Sequence, residues 1–265
     1  MLINNDNILF GDSTEQFDFS VISVLGGREE QQDSCGFETE GTDGLFVVCD
    51  GIGGHSGGKV ASTVTVNEML SLFGDIRETR NEVDLLLAFS KNTDRRIAAL
   101  PDENGDPLKA GTTLCSVVIK NRKIRWLSVG DSRIYLYRNG ELVKVTRAHN
   151  YKYYLDEKLK SGSISDSDYA CEIKKGDALI SYIGAGGLML VDINDRLFEA
   201  QKDDVILIST DGLFKLVSDD QIKEVIENSE DLTSAASRFE EIAAARAEKL
   251  RANRDNMTAI IIKIK

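Results

Sequence analysis

Leu45–Phe46–Val47–Val48–Cys49 is apolar at every position and stops on Asp50–Gly51. A short run without alternation reads as a strand buried on both faces. It ends on a carboxylate, and the Gly-rich loop Gly51–Gly58 follows. The same figure recurs along the chain. Asp204–Ser209 is an apolar strand ending in Thr210–Asp211–Gly212, and Lys123–Ser128 leads to Gly130–Asp131. Asp255–Asn256 stands immediately before Met257–Lys265, a closing strand rich in β-branched isoleucine. A single Asp-Gly pair opens turns routinely. Four carboxylates at the ends of apolar strands form a costlier pattern, because a buried carboxylate needs a cation or hydrogen-bond donors. In sequence, only Arg133 and Arg254 stand close enough to be obvious partners. Hard oxygen ligands imply Mg²⁺, Mn²⁺ or Ca²⁺, and the Cys and His sets that zinc prefers are missing.

Working outward, β-rich runs are expected at Phe19–Val24 and Cys35–Glu38. The Gly-rich loop leads into a helix from about Lys59 to Phe73. A second follows near Glu82–Leu100, with Val83, Leu86, Leu87, Phe89 and Ile97 as its apolar positions. Strands return at Thr112–Lys120 and Lys123–Ser128, separated by Asn121–Arg122. Ile134–Tyr137 and Leu142–Val145 flank Asn139–Gly140, a type I′ hairpin signal because both turn residues tolerate positive φ. Asn150–Gly162 reads as a short helix inside a polar insertion. Ser218 and Gln221 match a capping box, and a last helix runs from about Leu232 to Arg251. Blocks of strands and paired helices, in place of regular βαβ units, predict antiparallel sheets packed face to face with helices outside. With two prolines and no Pro/Gly/Ser-rich divide, residues 1–265 read as one continuous domain with a flap-like insertion at about 150–172.

The charge balance narrows the function. A formal net charge of −12 argues against a general affinity for nucleic acid or anionic membrane, which need a surplus of Lys and Arg. The same balance favours a cation partner if the carboxylates cluster. The N-terminus has no basic segment followed by an apolar core, and no apolar run approaches the roughly 20 residues that span a bilayer. A cytoplasmic protein is expected. Cys35, Cys49, Cys115 and Cys171 lack metal-finger spacing and read as reduced cysteines, the first three within buried strands.

Several motifs now become specific as an ordered set. Gly27–Arg28–Glu29–Glu30–Gln31–Gln32–Asp33 and Val47–Val48–Cys49–Asp50–Gly51–Ile52–Gly53–Gly54–His55 closely resemble the first motifs of the metal-dependent (type 2C) protein phosphatases. Gly111–Thr112–Thr113 and Ser128–Val129–Gly130–Asp131–Ser132–Arg133 resemble the central ones. Ser209–Thr210–Asp211–Gly212–Leu213 and Arg254–Asp255–Asn256–Met257–Thr258 resemble the last two. They stand in family order from residue 27 to residue 258. The resemblance implies an α/β fold, a four-layer α/β/β/α sandwich of two mainly antiparallel sheets flanked by helix pairs, with two Mn²⁺ or Mg²⁺ ions at one end. Asp50 would bridge both metals, the Gly51 carbonyl would complete one, and Asp211 and Asp255 would hold the other. Asp33 and Gln32 would contact metal-bound waters, Arg28 would grip the phosphate, and Asp131 matches a third, weaker metal position.

These roles agree with elementary chemistry. Two divalent ions close together need a shared acidic bridge, and the pair ionises a bridging water for in-line attack. Arg28 offers the bidentate fork that suits a phosphate dianion, set against the plainer reading of a salt bridge to Glu29 or Glu30. Three departures from the pattern stand out. Ile52 follows the Asp-Gly pair where eukaryotic members place a histidine, as in the bacterial branch. That leaves His55 as the candidate acid, against the reading that a metal-bound water supplies the proton. Thr146–Arg147–Ala148–His149–Asn150 has Ala148 in place of the usual Asp, and Gln31 replaces the usual Asn. The expected activity is hydrolysis of phosphoserine and phosphothreonine in proteins by a hydroxide bridging two metals. The expected partners are phosphoproteins made by a Ser/Thr kinase, and a monomer is expected. The alternative is a catalytically silent relative that binds phosphoproteins; the intact Asp50, Asp211 and Asp255 count against it. A phosphatase dedicated to one anti-anti-sigma-type regulator would use the same chemistry.

Overall fold

Phe46 and Val48 face one apolar core while Leu45, Val47 and Cys49 face another, which is why that run shows no alternation. The computed structural model describes residues 1–54, 56–102, 104–196 and 198–265. The strands used below are β1 (Asn7–Ser13), β2 (Phe17–Val24), β3 (Ser34–Glu40) and β4 (Asp43–Cys49). Helices α1 (Gly57–Ser71), α2 (Phe73–Glu78) and α3 (Glu82–Ala98) follow, then β5 (Leu114–Lys120), β6 (Lys123–Val129), β7 (Arg133–Arg138) and β8 (Glu141–Lys144). After α4 (Tyr151–Lys160) and α5 (Asp166–Glu172) come β9 (Val205–Ser209), α6 (Asp211–Phe214), α7 (Asp219–Asn228), α8 (Leu232–Leu250) and β10 (Met257–Ile264).

Two sheets carry the fold. The first runs β3–β4–β5–β6, with Leu2–Ile3 on the β3 edge and Asp192–Ile193 and Phe198–Glu199 pairing with β6. The second runs β8–β7–β9–β10–β2–β1. Every ladder is antiparallel. Between the sheets lies a core that includes Phe17, Phe19, Phe37, Phe46, Val117 and Ile260. Its centre is aromatic, with Phe19 4.6 Å from Phe37 and 5.1 Å from Phe46 between ring centroids. Leu45, Val66, Met69, Leu86 and Leu127 fill the layer between the first sheet and α1–α3. Leu207, Val225, Phe239, Ala243 and Ile261 fill the layer between the second sheet and α7–α8. Three cores between successive layers make the four-layer sandwich.

Local rules set the boundaries. The hairpin turns have positive φ at both central residues, 51° and 60° at Asn121 and Arg122, 52° and 80° at Asn139 and Gly140. Ser218 accepts from the Gln221 amide and Gln221 reaches back to the Ser218 amide, closing the capping box of α7. Some expectations shift. The helix read as Lys59–Phe73 begins at Gly57 and breaks at Leu72 before α2. The strand read as Thr112–Lys120 divides at Thr113: Gly111–Thr112 leaves the sheet to pair with Gly51–Ile52. The insertion holds a second helix, α5, which its polar sequence did not announce. Cys35, Cys49 and Cys115 are buried, Cys171 is exposed, and all four are free thiols. Among the described residues, no helix is long and apolar enough to cross a membrane.

Candidate active site

The acidic strand ends meet because antiparallel ladders bring the last residue of one strand beside the first of the next. β9 runs into Thr210–Asp211, and β10 starts beside it with Asp255–Asn256 just before. In the facing sheet, β4 ends at Asp50 and β6 leads to Gly130–Asp131. All four open on one cleft of about 990 Å³, with Arg28 and Gln32 on its wall. Gly51 and Ile52 line it as well.

Asp50 is fixed through its backbone. Its amide donates to Thr113 Oγ1 at 2.9 Å, and its carbonyl accepts from the Thr113 amide at 2.9 Å and from Thr112 Oγ1 at 2.9 Å. The break at Thr113 thus serves as the clamp on Asp50. Gly51 is required by close approach, since a Cβ there would run into the Gly58 and Gln32 carbonyl oxygens. A Cβ at Gly212 would strike the Asn256 carbonyl in the same way. Gln32 takes its backbone position from Asn256, whose Oδ1 accepts its amide at 2.9 Å, while its side chain donates to Glu30 at 3.3 Å. Asp33 is 1 % exposed, and Thr210 Oγ1 donates to its Oδ2 at 2.8 Å.

The electrostatics are those of anions crowded without enough counter-charge. Burial, then the charges of Asp33, Asp211, Asp131 and Asp255, hold the Asp50 carboxyl far above the usual carboxylate range. Asp131 is pushed up to about 6 by burial and then by Asp211. Asp33 is pushed up to about 7, chiefly by burial, against the lowering effect of its threonine hydrogen bonds. Two cations answer this charge, and they are not the ones nearest in sequence. Arg28 donates to Asp255 Oδ2 at 2.7 Å, and Lys215 pairs with Asp211 one helical turn away. Burial alone would lower the Lys215 pKa, but Asp211, Asp131 and Asp255 hold it above the ordinary lysine value.

The expected pairing with Arg133 and Arg254 is therefore corrected. Arg133 donates to the Tyr135 hydroxyl at 2.8 Å and lies 3.7 Å over the Phe214 ring, and Arg254 pairs with Glu240 at 2.9 Å. Arg133 acts on Asp131 only through its charge, which lowers that carboxyl's pKa without an ion pair between them. Arg28 pairs with neither Glu29 nor Glu30. His55 lies outside the described residues. Reading the sequence missed Lys215, Asp177, Leu179 and Asn253, which also line the cleft. Only Lys215 carried a signal, its i,i+4 spacing from Asp211. Asp177 and Leu179 come from the segment that follows the insertion and reach the site through tertiary structure alone.

As a cation site, the cleft presents hard oxygen donors around a surplus of negative charge, which fits Mg²⁺ or Mn²⁺ chemistry. Among the described residues, no three acidic, His or Cys side chains close into a finished cage. Asp211 and Asp255 are each engaged by a side-chain cation instead.

Comparison with known proteins agrees with the fold. The family model described as Protein phosphatase 2C matches residues 25–257. The serine/threonine phosphatase stp of Listeria monocytogenes is 26% identical over 239 residues, covering 89% of this chain and 90% of that protein. The serine/threonine protein phosphatase PstP of Mycobacterium tuberculosis is 28% identical over 199 residues, covering 75% of this chain and 37% of its own length. Among solved structures, the S. agalactiae serine/threonine phosphatase superposes with a TM-score of 0.79 at 24% identity, over 94% of this chain and 100% of that one. The PstP catalytic domain in complex with two manganese ions superposes with a TM-score of 0.73 at 24% identity, over 94% of this chain and 98% of that one. The chain belongs to the protein phosphatase 2C family. Its enzyme class is that of the protein serine/threonine phosphatases.

Proposed function

We propose that the acidic cleft seats divalent cations, Mn²⁺ or Mg²⁺, and that the chain uses them to hydrolyse phosphoserine and phosphothreonine in proteins. One observation carries this reading. Asp50, Asp131, Asp211 and Asp255 come from four separate strand ends to a single cleft, where burial first and then the neighbouring carboxylate charges raise the Asp50 carboxyl well above its ordinary pKa. Added positive charge relieves such crowding. The PstP structure with two manganese ions, a neighbour of the same fold, supports the choice of cation.

When bound, divalent cations would supply Lewis acidity toward phosphoryl oxygens and would lower the pKa of water for hydrolysis at neutral pH. The remaining work belongs to the chain. Asp50, clamped by Thr112 and Thr113, is the central carboxylate, with the Gly51 carbonyl beside it. Asp211 and Asp255, now paired with Lys215 and Arg28, would help to hold the cations, and Asp131 would hold a further, weaker one. Arg28, released from Asp255, turns its guanidinium fork to the substrate phosphate. Asp33 and Gln32 orient water at the floor. His55 has no assigned duty, and proton delivery to the leaving serine falls to water in the cleft. Residues 1–265 act as one catalytic domain, monomeric and cytoplasmic, on the phosphoproteins of a serine/threonine kinase.

Purified protein should hydrolyse a phosphothreonine peptide with Mn²⁺ or Mg²⁺ and lose that activity in EDTA. Full activity in EDTA would overturn the reading, and no turnover with either metal would favour a silent, phosphoprotein-binding member. Arg28→Ala should raise KM without weakening Mn²⁺ binding by calorimetry, because it removes a contact to phosphate and only frees Asp255 of a competing cation.

A further inference from the structure

At the end of the first sheet away from the acidic cleft, β5 and β6 turn at Asn121–Arg122 beside the segment joining α2 to α3. A cavity of about 280 Å³ opens there, with Arg80, Lys120, Lys123 and Arg125 in its wall against one carboxylate, Glu82. The three strand cations share a face by alternation. Val118 pairs across the ladder with Arg125 and Lys120 with Lys123, while Ile119 and Ile124 turn into the core between the sheets. In a chain of net charge −12, four cations gathered on one wall run against the overall balance.

The cations differ in how they are satisfied. Lys120 Nζ is fully engaged, donating to the Ile76 and Thr79 carbonyls at 2.9 and 2.8 Å and to Glu82 at 3.1 Å. Arg125 is 6 % exposed; it donates to the Asn194 carbonyl, and its Nη2 lies 3.5 Å from Glu82. Its Nε is buried with no acceptor among the described residues. Arg80 and Lys123 form no ion pair among the described residues, although Glu199 stands across the ladder from Lys123. A buried guanidinium nitrogen without an acceptor calls for a water or an ion. The 17-residue helix α3 begins at Glu82 and adds the positive end of its dipole to the same cavity.

We infer that this cavity is a second anion site, for an oxyanion of the phosphoryl type. Arg125 supplies the buried anchor, Lys123 and Arg80 the mobile outer contacts, and Glu82 yields part of its hold on Lys120 and Arg125. The length of β5 separates this site from the acidic cleft, roughly 20 Å at about 3.3 Å per residue. The same chemistry reaches the site either as free phosphate or as a second phosphoryl group on a multiply phosphorylated protein. The inference does not depend on the catalytic reading.

The test uses inorganic phosphate and the full chain carrying Arg28→Ala, in EDTA, so that the acidic cleft contributes nothing. Calorimetry should still register one phosphate site. Adding Arg80→Ala and Lys123→Ala, both at exposed side chains, should weaken it at least about tenfold through lost charge-assisted hydrogen bonds. Crystals soaked in tungstate should show an anomalous peak beside Arg125. No phosphate binding in the Arg28→Ala protein, binding untouched by the added pair, or a tungstate peak only in the acidic cleft would each overturn the site. The two sources separate by substrate. A lower KM for a doubly than for a singly phosphorylated peptide, lost in Arg80→Ala/Lys123→Ala, assigns the site to protein-borne phosphate; equal KM values assign it to free phosphate.

Discussion

Asp50 is held by bonds to its backbone, so its carboxylate can be changed without loosening the cleft. The Thr112 and Thr113 contacts involve its amide and carbonyl and survive Asp50→Asn. That variant should keep its fold yet lose at least ~10²-fold in turnover at saturating Mn²⁺, the share of charge stabilisation a metal contributes. Asp255→Asn should behave alike, and wild-type turnover at limiting metal would remove Asp255 from the site. Lys215 invites the opposite result. Its ammonium pairs with Asp211 and competes with any cation for that carboxylate. Lys215→Ala should tighten Mn²⁺ binding several-fold by calorimetry, in proportion to a partly exposed ion pair of about 1 kcal/mol. Weaker binding in this variant would mean that Lys215 supports the site instead.

Elements bring these residues into register, and one joint between them titrates. Gly130 stands at φ 103°, a conformation open to glycine, just before Asp131. Its amide donates to His149 Nδ1 at 3.2 Å and its carbonyl accepts from the His149 amide at 2.9 Å. The His149 carbonyl in turn accepts from the Ile180 amide at 2.9 Å, so the histidine ties the β6 loop to the segment that follows the insertion. Burial holds its imidazole neutral and lowers its pKa to about 4, from 6.5. The unfolded chain therefore takes up the proton first as pH falls. His149 contributes stability above about pH 6.5 that is lost progressively toward pH 4. His149→Gln should be less stable than wild type by ~1–3 kcal/mol at pH 7, for a disturbed buried hydrogen bond. Denaturant melts should show this gap closing between pH 6.5 and pH 4.5; a gap constant with pH would rule out a buried neutral imidazole. The departure at Ala148 thus leaves the joint intact, because the histidine beside it carries the contacts.

At the scale of the whole molecule, the sandwich holds its anions against their mutual repulsion. Asp33 at about 7 and Asp131 at about 6 mark where the metal-free protein is under electrostatic load at neutral pH. A cation that binds the folded state alone relieves that load and stabilises by mass action, about 2.7 kcal/mol at one hundred times its Kd. For a chain of this size that corresponds to a rise in Tm of roughly 5–10 °C. Thermal melts in Mn²⁺ and in EDTA measure it directly. An unchanged Tm would mean that the cleft binds no cation with useful affinity.

The strand ends were legible because burial on both faces demands an unbroken apolar run, and a carboxylate at its end stands out. Asp50, Asp211 and Asp255 could be singled out on that ground, and the capping box at Ser218 on local hydrogen bonding alone. The edge strand β1, Asn7–Ser13, was not legible. It carries Gly11 and Asp12, exposes most of its length, and becomes a strand because β2 offers it a ladder. The same holds for the cleft's cations. Arg28 reaches Asp255 across 227 positions, and neither that pair nor the arrival of Asp177 and Leu179 has any local signature. Residue chemistry and local hydrogen bonding are short-range, so the sequence alone determined the donor types and the elements with a local signature, β1 and α5 excepted. Which charges face each other depends on how two sheets close over an aromatic core, and only the tertiary structure decided that.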